Sequence, residues 1–172
     1  HKATILDTNE TVAIKVLRPG IEKAFRKDIN AFYLAAKIIE LFSSSARRLK
    51  PTEVIKHFDH VVQGELDLKL EAAAAGEYRS TASQDVGFSV PKAHFIYTSK
   101  RVLTMDWVDG IPFGDTKAID DAGHDKKVLS ERLLQVFLRQ ALNDGYFHAD
   151  MHQGNMKISP SGDIVAYDFG IM

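Results

Sequence analysis

The apolar residues of this chain first change period at Arg18-Pro19-Gly20. Ahead of that tripeptide the sequence alternates. Ala3 to Leu6, a polar turn at Asp7 to Asn9, and TVAIKVL from Thr11 to Leu17 read as two strands of a hairpin. Behind it Ile21, Phe25, Ile29, Phe32, Ala36, Ile39 and Phe42 recur every three or four residues, the pattern of one long amphipathic helix. A helical bundle does not accommodate the first pattern and a pure sheet does not accommodate the second, so the fold class is α+β. At 1.5 Å per residue such a helix spans roughly 35 Å, about the width of a small domain, and is expected to lie across the surface of the fold.

The mixed pattern continues. Ser43 to Ser45 loosen the helix, and Pro51 and Thr52 restart one that is expected to run to about Tyr78. Val54, Phe58, Val61, Val62, Leu66, Leu68 and Leu70 form its apolar side, and Ala72 to Ala75 are strong helix formers. Strands are expected at Ala93 to Tyr97 and Val102 to Trp107, a mobile connection at Gly110, Pro112 and Gly114, and a helix from about Val128 to Asn143. The 172 residues suffice for one domain. Lys and Arg total 22 against 23 for Asp and Glu, a balance that gives no electrostatic footprint for nucleic acid or anionic lipid, so any phosphate must be gripped locally. There is no cysteine, which excludes a disulfide scaffold and thiolate zinc sites. The most apolar stretch, Ala31 to Phe42, is cut by Lys37 and Glu40 and falls short of the roughly 18 to 20 residues that span a bilayer. The start at His1 and the stop at Met172, directly after an apolar run, read as cuts and not as natural termini.

The chemistry is concentrated between Gly145 and Met172. Asp150 and Asn155 lie five apart in a polar turn, and Asp168 opens an Asp-Phe-Gly triplet after a hairpin expected at Met156 to Ser159 and Ile164 to Tyr167. Phosphoryl transfer needs this set: a carboxylate to orient the nucleophile and accept its proton, plus a carboxylate and an amide oxygen to hold magnesium on nucleotide phosphates. The protein-kinase pattern H-R-D-x-x-x-x-N followed by D-F-G has the same order, with Ala149 in place of the arginine. Val12-Ala13-Ile14-Lys15 on the second strand adds the cation that would hold the α and β phosphates, itself held by a helix glutamate. Glu65 and Glu71 are the candidates, Glu71 the preferred one.

The chain closely resembles the UbiB family of atypical kinase-like ATPases of ubiquinone (coenzyme Q) biosynthesis. The resemblance is carried by VAIKVLRPGIE (12–22), ELDLKLEAAAA (65–75), VLTMDWVDGIP (102–112), FHADMHQGN (147–155) and AYDFGIM (166–172). It implies a bilobal protein-kinase-like fold, with an N-lobe sheet carrying inserted long helices over residues 1–108 and a partial helical C-lobe over 109–172, in a single domain incomplete at both ends. It implies that Lys15 pairs with Glu71, that Glu65 and Asp67 form a Glu-x-Asp motif, that Met105 borders the adenine pocket, and that Asp106 and Val108 offer backbone groups to the base. Asp150 is then the catalytic-loop aspartate, and Asn155 and Asp168 are the metal ligands. ATP and Mg2+ are the implied cofactors. A lipid or quinone precursor and other ubiquinone-biosynthesis proteins are the implied partners, with no nucleic acid. The implied location is the cytoplasmic face of a bacterial inner membrane, or the mitochondrial inner membrane in a eukaryote, with membrane contact through segments outside this chain. Gln153 stands where the family usually has proline, and Ala74 where it commonly has asparagine. A Lys-x-Gly-Gln motif and an Ala-rich nucleotide loop are expected ahead of His1, and the rest of the C-lobe after Met172.

Other readings of the same residues remain. His148, Asp150 and His152 could hold a transition metal for hydrolysis, although that leaves Lys15, Asn155 and Asp168 without a role. A small-molecule phosphotransferase of the aminoglycoside or choline kinase kind has similar loops, and a non-catalytic nucleotide-binding scaffold is a third possibility. His57 and His60 read as solvated.

Overall fold

The computed structural model describes residues 1–172, the side chain of Ser44 excepted. Strands β1 (Lys2–Thr4) and β2 (Thr11–Val16) form the expected antiparallel hairpin, and β4 (Val102–Asp106) pairs with the other edge of β2. In that register Lys15 lies opposite Leu103 and Ala13 opposite Met105. A second sheet has the order β3 (Phe88–Ser89), β7 (Ile164–Ala166), β6 (Met156–Ile158), β5 (Ile111–Pro112). β3 joins it in parallel with β7, so this segment belongs to the second sheet although it lies ahead of residue 108.

Helix α1 (Ile21–Phe42) starts after Gly20, whose φ of 79° is a left-handed conformation that glycine adopts without strain. A short α2 (Ser44–Arg47) leads to α3 (Pro51–Glu65), which packs back on α1 with Phe32 edge-on to Phe58 at 6.4 Å. The continuous helix expected from Pro51 to Tyr78 is broken. α3 ends at Glu65, and α4 runs over Leu68–Ala82, because the Asp67 carboxylate accepts from Lys69 N and caps a new helix start. The break re-aims the chain: Leu68, Glu71, Ala72, Ala75, Tyr78 and Ala82 make a buried stripe against β4 and β3.

Two further expectations are corrected. Residues 93–97 are not a strand: Ala93 bridges Met105 alone and Phe95–Tyr97 form a single 3₁₀ turn. The connection expected to be mobile at 110–114 instead carries β5, because Ile111–Pro112 sit at the edge of the second sheet, where a proline costs no ladder bond. Gly110 has φ 147°, and a Cβ there would lie 2.1 Å from the Ile158 carbonyl oxygen, so only glycine lets the chain pass β6 this closely. α5 (Thr116–Asp121) and α6 (Lys126–Arg139) follow, and a π turn over Gln140–Asp144 extends α6. The core is continuous between the lobes, joining Leu103 and Met105 of the first sheet to Met156, Ile158, Ile164 and Ala166 of the second through the buried face of α4.

Candidate functional site

The site lies where β2, α4 and the segment after β7 converge. Lys15 Nζ is 2.7 Å from Glu71 Oε1, 3.0 Å from Glu71 Oε2 and 3.2 Å from Asp168 Oδ1. Strand alternation turns Lys15 toward α4, and Glu71 sits one turn into α4, on its buried stripe. Burial alone would lower the Lys15 ammonium, but the Glu71 and Asp168 carboxylates outweigh it and hold its pKa above the ordinary value. Burial pushes the Glu71 carboxyl up, and the attraction of Lys15 only partly offsets this. The Lys15 shift favours the ion pair and the Glu71 shift opposes it. The bidentate contact at 2.7 and 3.0 Å decides in favour of an ionised pair at neutral pH. For Asp168 burial again raises the pKa, yet Lys15 and the Gly170 N–H prevail and keep it below the usual carboxylate range.

Opposite this pair lies the turn His148 to Asn155. His148 is buried, edge-on to Tyr78 at 6.1 Å, and tilted against Phe169 at 5.7 Å. Its Nε2 donates to the Asp168 carbonyl oxygen, while Nδ1 accepts from Asp150 N at 3.1 Å. Burial holds its pKa below the ordinary value, and Nδ1 accepting from a backbone N–H requires a neutral ring with both nitrogens engaged. That removes it as a metal ligand. His152 turns Nδ1 to Gly154 N at 3.0 Å, and among the described residues no group of three His, Cys, Asp or Glu stands ready to hold a metal. The two-histidine hydrolase reading therefore fails on geometry.

Asn155 is buried and donates Nδ2 to the Asp150 carbonyl oxygen at 3.2 Å and to Asp150 Oδ2 at 3.4 Å, which leaves its amide oxygen free to face the cleft. Asp150 is exposed and has no lysine or arginine partner within ion-pair distance among the described residues. A cavity of about 170 Å³ is lined by Asp150, Asn155, Asp168 and Glu65, among others. Burial first, then Asp168, pushes the Glu65 carboxyl up, the pattern of two carboxylates sharing a small space. Hard oxygen donors from one or two carboxylates and an amide, with the remaining positions left to water and phosphate, fit Mg2+ and suit soft or nitrogen-seeking metals poorly. Asp67 faces elsewhere, its carboxylate capping α4.

On the other side of Lys15 a cavity of about 340 Å³ runs along the connection between the lobes, bordered by Ala13, Met105, Asp106, Trp107, Val108, Lys157, Tyr167 and Asp168. Met105 is buried at its back. The Asp106 N–H is committed to the Lys92 carbonyl at 2.9 Å, the Trp107 N–H to the Thr11 carbonyl at 3.2 Å, and the Val108 carbonyl to Lys157 Nζ at 3.0 Å. The Asp106 carboxylate meets His94 Nε2 at 2.7 Å and Lys92 N at 3.1 Å. Of the residues singled out from sequence, Lys15, Glu71, Asp168, Asp150, Asn155, Glu65, Met105, Asp106 and Val108 thus surround one cleft, and Asp67 stands behind it. Lys157, Trp107 and Tyr167 were not singled out. For Lys157 a signal existed, one cation in the middle of the short apolar strand Met156–Ile158. His57 and His60 are exposed, and His60 forms part of the rim of a separate 370 Å³ cavity between α3, α4 and Met172.

Residues 1–172 match the profile of the ABC1 atypical kinase-like domain. The chain is 40% identical to the probable protein kinase UbiB of Marinobacter nauticus over 176 residues, all of this chain and 32% of that protein. It is 37% identical to the probable protein kinase UbiB of Pseudomonas aeruginosa over 174 residues, 99% of this chain and 33% of that protein. The chain therefore spans about a third of the length of these curated relatives. Among solved structures, Rv3197 of Mycobacterium tuberculosis, in its complex with erythromycin, has a TM-score of 0.73 and 24% identity over 99% of this chain and 42% of that one, a likeness of fold.

Proposed function

From a chain that belongs to the ABC1 atypical kinase-like family over its whole length, we propose a Mg2+-dependent, ATP-binding kinase or ATPase acting in ubiquinone biosynthesis. The observation that carries the reading is the Lys15 ammonium held between Glu71 and Asp168, because a cation fixed by a helix carboxylate beside a cleft is what nucleotide phosphates require. Residues 1–108, apart from β3, then form the nucleotide-facing lobe and 109–172 the start of the second lobe. Lys15 positions the α and β phosphates, and the base lies along Met105, Asp106 and Val108. Asp106 has only its carbonyl left to offer the base, and Val108 its N–H, since the opposite group of each is already paired. Asp168 and Asn155 would hold magnesium, with Glu65 beside them, and the ion would neutralise charge on the phosphates. Asp150, with no lysine or arginine partner among the described residues and His152 Nε2 3.6 Å from its Oδ2, orients the nucleophile and takes its proton. His148 holds the Asp168 backbone and the Asp150 amide in register from below. Asp67 serves the site through the helix start that aims Glu71.

By kinship with the UbiB proteins, the client would be a lipid or quinone precursor handled with other ubiquinone-biosynthesis proteins at the inner membrane. Among the described residues no helix is long and apolar enough to cross a membrane.

The test separates binding from chemistry in the full-length protein. Asp168→Asn is expected to abolish magnesium-dependent ATP binding in calorimetric titration. Asp150→Asn is expected to keep that binding and to slow turnover by roughly 10² to 10⁴, the usual cost of losing a general base. Loss of binding in Asp150→Asn together with normal hydrolysis by Asp168→Asn would overturn the assignment.

A further inference from the structure

We propose that Lys157 sets the base selectivity of the cavity beside the lobe connection, an inference that rests on reading that cavity as a nucleotide site. Lys157 is the middle residue of β6, between the buried Met156 and Ile158, and its side chain leaves the sheet toward the connection. Its Nζ donates to the Val108 carbonyl at 3.0 Å, lies 5.2 Å from the centroid of the Trp107 ring, and lies 6.0 Å from that of Tyr167. All four residues border the same cavity as Lys15 and Asp168. One carbonyl and two aromatic rings therefore hold a second ammonium on the wall of the cavity that also holds Lys15. Lys2 Nζ, 4.7 Å from the Trp107 centroid, adds positive charge beside the same ring.

This changes what the wall offers a ligand. A bare backbone carbonyl is an acceptor, but once it holds an ammonium the spare N–H bonds of that group present donors in its place. The Val108 N–H is a further donor on the same residue. Adenine suits such a wall, because its ring nitrogens accept. Guanine does not, because its N1–H and its 2-amino group are adjacent donors, and they would meet the ammonium that Lys157 sets on one lone pair of the Val108 carbonyl, donor against donor. Inosine carries the guanine ring without the 2-amino group, so the ratio of guanosine to inosine nucleotide affinity isolates the effect from every other feature of the site.

The experiment titrates the full-length protein with ATP, GTP and ITP in the presence of magnesium, as wild type, as Lys157→Met and as Lys157→Arg. Methionine keeps much of the stem and removes the charge, whereas arginine keeps the charge. Wild type is expected to bind GTP about tenfold or more weakly than ITP, Lys157→Met to reduce that gap to about threefold or less, and Lys157→Arg to preserve it. An unchanged gap in Lys157→Met, its disappearance in Lys157→Arg, or a wild-type ratio near unity overturns the role of Lys157 while leaving the nucleotide site standing. The wild-type ratio keeps the inference open to refutation even if Lys157→Met does not fold. Failure of wild type to bind any of the three nucleotides defeats the nucleotide reading itself.

Discussion

Helices α1 and α4 invert the usual relation between pattern and burial. α1 has a regular apolar period over 22 residues, yet only Ile29 and Ala36 are buried, and Leu34, Leu41 and Phe42 stand in the open. α4 is alanine-rich with a diffuse pattern, and it buries six residues in 15. α1 packs chiefly on α3, to which it is tied by Phe32 and Phe58, and on the short α2, whereas α4 is enclosed by β4, β3, α3 and the π turn after α6. A strong stripe marks a helix at an edge. Small residues mark one that neighbours approach closely from several directions.

The sharpest way to break the contrast is Tyr78→Ala. Tyr78 is fully buried, edge-on to Phe88 at 6.0 Å and to Tyr146 at 6.3 Å, tilted against Phe169 at 5.8 Å, and bonded through its hydroxyl to Gln140 Oε1 at 2.7 Å. Gln140 passes the link to Asp85, which Arg139 clasps. Emptying that position is expected to cost about 3 to 5 kcal/mol, a large share of the roughly 5 to 15 kcal/mol that holds a typical domain together, and urea unfolding of the full-length protein measures it. Ala75→Leu adds bulk where there is no free surface and should cost about 1 to 3 kcal/mol by the same assay. Leu34→Ser on α1, whose side chain is 62% exposed, should stay within about 0.5 kcal/mol. A loss at Leu34 as large as that at Ala75 would show that α1 is covered after all and would erase the contrast.

The same contrast explains what could be read from the amino acids. The span of α1 and the β1–β2 hairpin were legible because local periodicity alone defines them. The break at Leu66 and Asp67 was not, since Val62, Leu66 and Leu70 continue a four-residue spacing straight through it, and only the capping carboxylate of Asp67 betrays the new start. β5 was hidden by a composition of Gly and Pro that reads as a loop until its place at a sheet edge is known. The 3₁₀ turn at Phe95–Tyr97 was hidden because aromatic and β-branched residues suit a strand equally well. In the site, the order and spacing of Lys15, Asp150, Asn155 and Asp168 were open to inspection. Glu71 was already the preferred partner of Lys15, but that His148 also spends its Nε2 on the Asp168 carbonyl depends on a contact between separate segments, which no local pattern records.

Trp107 is the single tryptophan of these 172 residues, and it stands on the cavity wall with its indole N–H bonded to Asp109 Oδ1 at 2.7 Å and lysine ammonium groups near its ring. The domain thus carries a native fluorophore at its own cleft. Its emission depends on the charge and water around one indole, so any molecule entering that cleft, or any loosening of the connection on which the indole sits, is written into a light signal without a label being attached.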